Sequence, residues 1–273
     1  MKLSCLPVSW YEEILTGKMS LRDWLSFAAG LRLDAVDLTI LFLQNKSRED
    51  LQSLRQLILD SGLELCMVTC YPDLTHPDRG ARAQQIEGGK THIRMASQLG
   101  AKLVRVTAGQ SHPSVTREEG IGWAVEGLRQ LAAEADQQEV LLVYENHTKG
   151  APWQYWDFSQ ASDIFLEILG KLDDTSLGIN FDTANPLVGN EDPIALLGEV
   201  KDRVVSVHAA DIRAAGSLEP VVLGTGVVPF HRLFSNLKET GFDGWICIEE
   251  ASRTGARGFE EAVSFVRKAW EEA

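Results

Sequence analysis

Basic residues are in short supply. Lysine and arginine number 26 against 39 aspartates and glutamates, a formal charge of −13 over 273 residues. Nucleic-acid binders neutralise phosphates with clustered Lys and Arg; no such cluster occurs, so no nucleic-acid partner is expected. Long apolar runs are missing too. Nothing approaches the roughly 20 apolar residues of a membrane span, and the opening MKLSCLPVSWYEE lacks the apolar core and cleavage site of a signal peptide. These absences predict a cytoplasmic protein with no membrane partner.

Cysteine is also sparse. Cys5, Cys66, Cys70 and Cys247 form no CxxC pair and sit in apolar, strand-like contexts, which reads as buried reduced thiols. Cys66 and Cys70 are four apart in one predicted strand, which puts them on one face; a thiol metal site there is the lesser reading. No GxGxxG follows an early strand, so the dinucleotide-binding fingerprint is absent. No Pro/Gly/Ser linker divides the chain, and residues 1–273 read as one domain.

What is present is alternation. Strands are predicted at 3–8, 34–40, 63–70, 102–107, 139–145, 176–181, 203–208 and 244–249, and helices near 20–29, 48–61, 80–99, 117–136, 159–170, 192–199, 230–240 and 257–271. Continuous apolar runs suit strands covered on both faces. Gly62, Gly100 and Gly241 stand where left-handed helix caps are expected, and Thr116 with Glu119 has the capping-box spacing. Strict strand–helix alternation in a chain of this length predicts one α/β closed barrel, the (β/α)8 TIM fold of roughly 250 residues.

In such a barrel the chemistry lies at the C-terminal ends of the strands. Strand five ends in Glu145, strand six in Asp182, strand seven in His208 and strand eight in Glu249. Singly, Asp182 reads as readily as a helix cap and His208 as a packed core histidine. Together, three carboxylates in a low-dielectric mouth would repel one another, and a divalent cation removes the conflict. Hard oxygens plus one imidazole suit Mn²⁺ first, then Mg²⁺ or Co²⁺, with Zn²⁺ also accommodated.

The segments Val143–His147 (VYENH), Gly178–Thr183 (GINFDT), Val205–Asp211 (VSVHAAD) and Gly241–Glu249 (GFDGWICIE) resemble the xylose-isomerase-like superfamily of sugar phosphate isomerases and epimerases, as do Ala96–Ala101 (ASQLGA) and Gly224–Gly226. The likeness runs from about residue 60 to the end. It implies one metal ion held by Glu145, Asp182, His208 and Glu249, with Glu145 and Glu249 as the acid/base pair on opposite faces of a sugar or keto-polyol. The reaction implied is isomerisation or epimerisation by proton abstraction beside a carbonyl. A metal-dependent lyase or dehydratase on a keto-sugar or keto-inositol is the alternative, and a non-catalytic carbohydrate-binding barrel a lesser one. The sequence departs from the epimerases at Asn185, where they carry a histidine, and Arg213 is an inexact counterpart of their arginine. Related apurinic endonucleases need further histidines where this chain has Thr39, Thr69-Cys70 and Asn185. Homo-oligomers are frequent among barrels of this resemblance.

Substrate contacts are expected from Asn146, His147, Trp153, Asn185, Asp211 and Arg213. The 148–158 segment carries four aromatics, as a lid over a sugar would or as a loop pinned to the rim. Asp211 reads as orienting a ligand or as a loop acid. Lys149 could face an anion. Gly224–Gly226 could present amides to a phosphate, though a tight turn explains it as well.

Overall fold

Apolar and β-branched runs can be covered on both faces only in a parallel sheet flanked by helices, and that is how they fold. The computed structural model describes residues 1–150 and 152–273; Ala151, within the 148–158 segment, lies outside the described residues. The strands are β1 (Lys2–Leu6), β2 (Ala35–Thr39), β3 (Glu64–Thr69), β4 (Leu103–Val106), β5 (Leu141–Glu145), β6 (Gly178–Asp182), β7 (Val204–Ala209) and β8 (Trp245–Glu249). They form one sheet in the order β1-β8-β7-β6-β5-β4-β3-β2, parallel at every ladder.

The two end strands meet across the remaining seam. The Asp34 N–H donates to Leu3 O at 2.9 Å, Leu3 N–H to Asp34 Oδ2 at 2.8 Å and Ser4 Oγ to Asp37 Oδ2 at 2.7 Å. The result is the expected (β/α)8 barrel. Its helices are α1 (Tyr11–Leu15), α2 (Leu21–Gly30), α3 (Arg48–Asp60), α4 (Arg79–Leu99), α5 (Arg117–Gln137), α6 (Ser162–Gly170), α7 (Asn185–Val188), α8 (Pro193–Val200), α9 (Phe230–Glu239) and α10 (Ala256–Glu272). Reciprocal capping boxes start α2 (Ser20 with Asp23), α3 (Ser47 with Asp50) and α5 (Thr116 with Glu119). Gly62, Gly100 and Gly241 have φ of 75°, 83° and 75°, so the helix exits are left-handed where the sequence placed them.

Polarity rises along the barrel axis. Ala35, Met67, Leu103, Val143, Trp245 and Cys247 make an apolar interior layer. The next inward positions toward the strand C-termini include Arg105, Glu145, Asn180 and His208, all buried. The cysteines are free and buried. Cys66 and Cys70 do not share a face: Cys66 belongs to the interior layer, while Cys70 follows the last residue of β3 and packs in the outer core. Cys66 Sγ instead lies 3.8 Å from Cys247 Sγ.

Candidate metal centre

Glu145, Asp182 and Glu249 are the last residues of β5, β6 and β8, and His208 is the penultimate residue of β7. Asp182 and His208 are register partners on adjacent strands, which levels their side chains. One ligating atom from each of the four lies within 4.8 Å of every other. His208 Nδ1 is 2.6 Å from Glu145 Oε1 and 3.1 Å from Glu249 Oε2. Yet neither ring nitrogen of His208, nor Glu145 Oε2, has a hydrogen bond of acceptable geometry among the described residues. Buried nitrogens and carboxylate oxygens that converge without well-aligned hydrogen bonds suit a cation between them. The donor set fits a divalent ion held by Glu145, Asp182, His208 and Glu249.

The charge states agree. Burial alone would raise the Glu145 carboxyl, but Arg105 and His208 outweigh it and hold it at about 2. Burial would lower His208, and the Glu145 and Glu249 carboxylates drive it well up instead. Asp182 is raised by burial and then by Glu249 and Glu145. A proton shared among these groups balances the acids where an ion would.

Neighbours fix the donors. Asn180 Nδ2 donates to Glu145 Oε1 at 2.8 Å, and Ser206 Oγ donates to Asn180 Oδ1 at 2.7 Å, which sets the direction of the amide. Asn146 clasps β5 to β6: its Nδ2 donates to Asp182 O at 3.0 Å and its Oδ1 accepts from Asp182 N at 2.8 Å. Asp182 Oδ1 accepts the Ala184 and Asn185 amides at 2.8 and 2.7 Å. Asp182 therefore anchors the turn that leads into α7, whose N-cap is Ala184, and keeps Oδ2 for the site.

Arg105 on β4 was not singled out by the sequence. Its Nε lies 3.1 Å from Glu145 Oε2 with both side chains buried, its Nη1 donates to Cys70 O at 3.2 Å, and its guanidinium stacks 4.4 Å from the Tyr71 ring. Burial would lower its pKa; Glu145, Tyr71 and Glu249 raise it. The signal was available: an arginine inside the apolar run Leu103–Val106 needs a buried carboxylate partner.

The other expected residues fall into two groups. A cavity of about 100 Å³ is lined by His147, Lys149, Asp182, Asn185, Glu249 and Leu218 among others. His147 Nε2 is 4.0 Å from Glu145 Oε2, and its Nδ1 is 3.7 Å from the buried Asp157 carboxylate. Trp153 is buried and meets His147 and Tyr71 edge-on, with centroids 5.8 and 6.4 Å apart. Asn185 Oδ1 accepts from Thr148 Oγ1 at 3.1 Å.

Two residues are not delivered to the donors. Arg213 pairs with Glu219 at 2.6 Å with its side chain 64% exposed. Asp211 borders the cavity, but both its oxygens are taken by backbone amides. Trp10 packs on Trp24, Phe27 and Phe259 as core rim.

The family model for xylose isomerase-like TIM barrels matches residues 25–269. The chain belongs to that family. It is similar to the inosose dehydratase of Clostridium beijerinckii, 28% identical over 156 residues, with the match spanning half of each chain, 50% and 50%. It is 24% identical to the L-ribulose-5-phosphate 3-epimerase UlaE of Escherichia coli K12, covering 97% of this chain and 92% of that protein. The solved IOLI protein with a binding zinc atom superposes with a TM-score of 0.76 at 20% identity, covering 98% of this chain and 96% of that one. The first two relatives are named as a dehydratase and an epimerase, and no helix among the described residues is long and apolar enough to cross a membrane.

Proposed function

We propose that this chain is a divalent-metal-dependent sugar isomerase or epimerase that moves a proton next to the carbonyl of a small polyhydroxy ketone. One observation carries the reading: one ligating atom each of Glu145, Asp182, His208 and Glu249 converges within 4.8 Å of the others, with both His208 nitrogens and Glu145 Oε2 lacking a well-aligned hydrogen bond. An ion held there, Mn²⁺ by preference and Zn²⁺ as in the IOLI neighbour otherwise, supplies Lewis acidity toward the carbonyl oxygen.

The residues then divide the labour by access. Glu249 keeps its side chain 28% exposed and borders the cavity, so it is the carboxylate placed to take the proton. Glu145 is enclosed by Asn180, Arg105 and His208 and serves as a fixed, charged donor. Asn185 and His147 offer hydrogen bonds to hydroxyls, and Trp153 with Tyr71 walls the site against water.

A second reading, dehydration of a keto-polyol, is favoured by that asymmetry. Epimerisation needs a proton carrier on each face of the substrate, and the cage around Glu145 opposes its protonation. Elimination begins with one base. Both readings share the first step, so a panel of ketoses and keto-inositols in D2O separates them. Deuterium appearing in recovered ketose or its epimer supports the isomerase; loss of water supports the dehydratase. Unchanged turnover in Glu249→Gln contradicts both.

A further inference from the structure

Three strands bring a second group of donors into the barrel interior. Asp37 of β2, Cys66 of β3 and Cys247 of β8 each offer one ligating atom within 4.8 Å of the others. All three are buried, and the chemistry proposed above uses none of them. Register puts them there. Cys247 is level with Ser4 on β1 and with His208 on β7. On the other side the β2–β3 ladder slips by one residue: Val36 pairs with Leu65 but Asp37 with Met67. Cys66 is the residue left over. Strict alternation would send it outward, because its neighbour Met67 faces the interior. The slip turns both inward, into the layer that holds Cys247.

The spacing of the sulfurs fits an ion. Cys66 Sγ and Cys247 Sγ are 3.8 Å apart, and two thiolates each about 2.3 Å from a tetrahedral zinc stand about 3.8 Å apart as well. Two thiols in plain contact reach the same distance, so the carboxylate decides. Asp37 Oδ2 accepts from Ser4 Oγ at 2.7 Å, which fixes the side chain, while its Oδ1 has no hydrogen-bond partner among the described residues. An oxygen buried without a donor beside an apolar layer is costly, and a cation between it and the sulfurs removes the cost. Burial pushes the Asp37 carboxyl and the Cys66 thiol up, so protons keep the group neutral until a metal displaces them. Two sulfurs and one oxygen supply three corners of a tetrahedron. Thiolate donors select Zn²⁺ over the harder Mn²⁺ and Mg²⁺, which are left to the carboxylates and imidazole of the mouth.

We propose that Asp37, Cys66 and Cys247 form a second, structural metal site that takes Zn²⁺ or a like thiophilic divalent ion and ties β2, β3 and β8 together inside the barrel. The test uses Co²⁺, because sulfur-to-cobalt charge transfer absorbs strongly in the near ultraviolet and carboxylate or imidazole donors do not produce that band. The full chain is made in zinc-depleted, cobalt-supplemented minimal medium, so that the ion is present as the barrel closes, and is kept in a phosphine reductant. Wild type is expected to show the thiolate band. Cys66→Ser and Cys247→Ser are expected to lose it together with one equivalent of bound cobalt, whereas Cys70→Ser keeps both. Asp182→Asn, which removes a donor from the mouth, keeps the band, so failure of the mouth reading and failure of this one are told apart. Wild type without the band would overturn the proposal. So would a band that survives in both Cys66→Ser and Cys247→Ser, or one that vanishes in Cys70→Ser. Should the Cys66 and Cys247 variants not fold, the wild-type spectrum and the Cys70→Ser control still decide.

Discussion

Arg105 and Glu145 are the residues whose removal should be felt most widely. Their side chains are 2% and 1% exposed and 3.1 Å apart, so deleting one leaves the other as an unpaired buried charge. Arg105→Met is expected to cost about 3–5 kcal/mol of metal-free stability in denaturant titration; a loss below about 1 kcal/mol would mean that the pair is unimportant. The pH dependence has a definite sign. Glu145 is held at about 2, below its unfolded value, so its contribution is complete above about 4.5 and is lost as pH falls toward 2. His208 is raised, so its contribution is complete below about 6.5 and is lost as pH climbs through its folded value. The metal-free chain should therefore unfold more easily at both ends, and in Arg105→Met, where the folded value of Glu145 rises toward its unfolded one, the acid-side loss carried by Glu145 should shrink.

Residues were unevenly legible. Glu145, Asp182, His208 and Glu249 announced themselves as polar ends of apolar strands. Arg105 and Asn180 did not, because each sits inside an apolar run and only a three-dimensional partner, Glu145, explains it. Asp211 was read as a substrate contact, yet its oxygens go to backbone amides, three of which lie 13 to 17 residues further along, beyond any local pattern.

Elements were read more fully than residues. The eight strands and the longer helices follow from apolar runs, caps and glycine exits, whereas α1 and α7, of five and four residues, are too short to show a period. The 148–158 segment illustrates what sequence leaves open, since four aromatics suit a lid or a pinned loop equally. The structure pins its described residues. Gln110 Oε1 accepts the Gln154 and Tyr155 amides at 2.8 and 3.0 Å, Ser111 N–H donates to Trp156 O at 2.8 Å and Phe158 N–H to Gly109 O at 2.8 Å. Gln110 is itself held by Asp73 through its backbone and side-chain nitrogens, both at 2.9 Å. Gln110→Ala should speed amide exchange and proteolysis in 148–158 while leaving exchange in the barrel strands unchanged. Equal protection in both proteins would show that the aromatics alone hold the loop. Gly109→Ala should be worse than Gln110→Ala, since Gly109 has φ of 122° and its added carbon would lie 2.7 Å from Leu74 N.

Across the whole molecule, the barrel concentrates acid at its mouth, just above its driest layer. The apolar layer around Val143 and Cys247 lies beneath Glu145, Asp182 and Glu249, and the chain as a whole is acidic. A divalent cation at the mouth relieves both the local and the global repulsion. Binding at about 1,000 times Kd should add about 4 kcal/mol of stability, and it should release protons as His208 gives up its shared proton. Metal affinity should accordingly weaken as pH falls.

The most direct test of the account is calorimetric titration of metal-free protein with Mn²⁺, in two buffers of different ionisation enthalpy, for wild type, Asp182→Asn and His208→Gln. The account predicts one saturable site in wild type with proton release, and affinity lower by tenfold or more in each variant, about 1.4 kcal/mol or greater. Wild type without saturable binding, or variants that bind as tightly as wild type, would contradict the assignment of the metal to these strand ends.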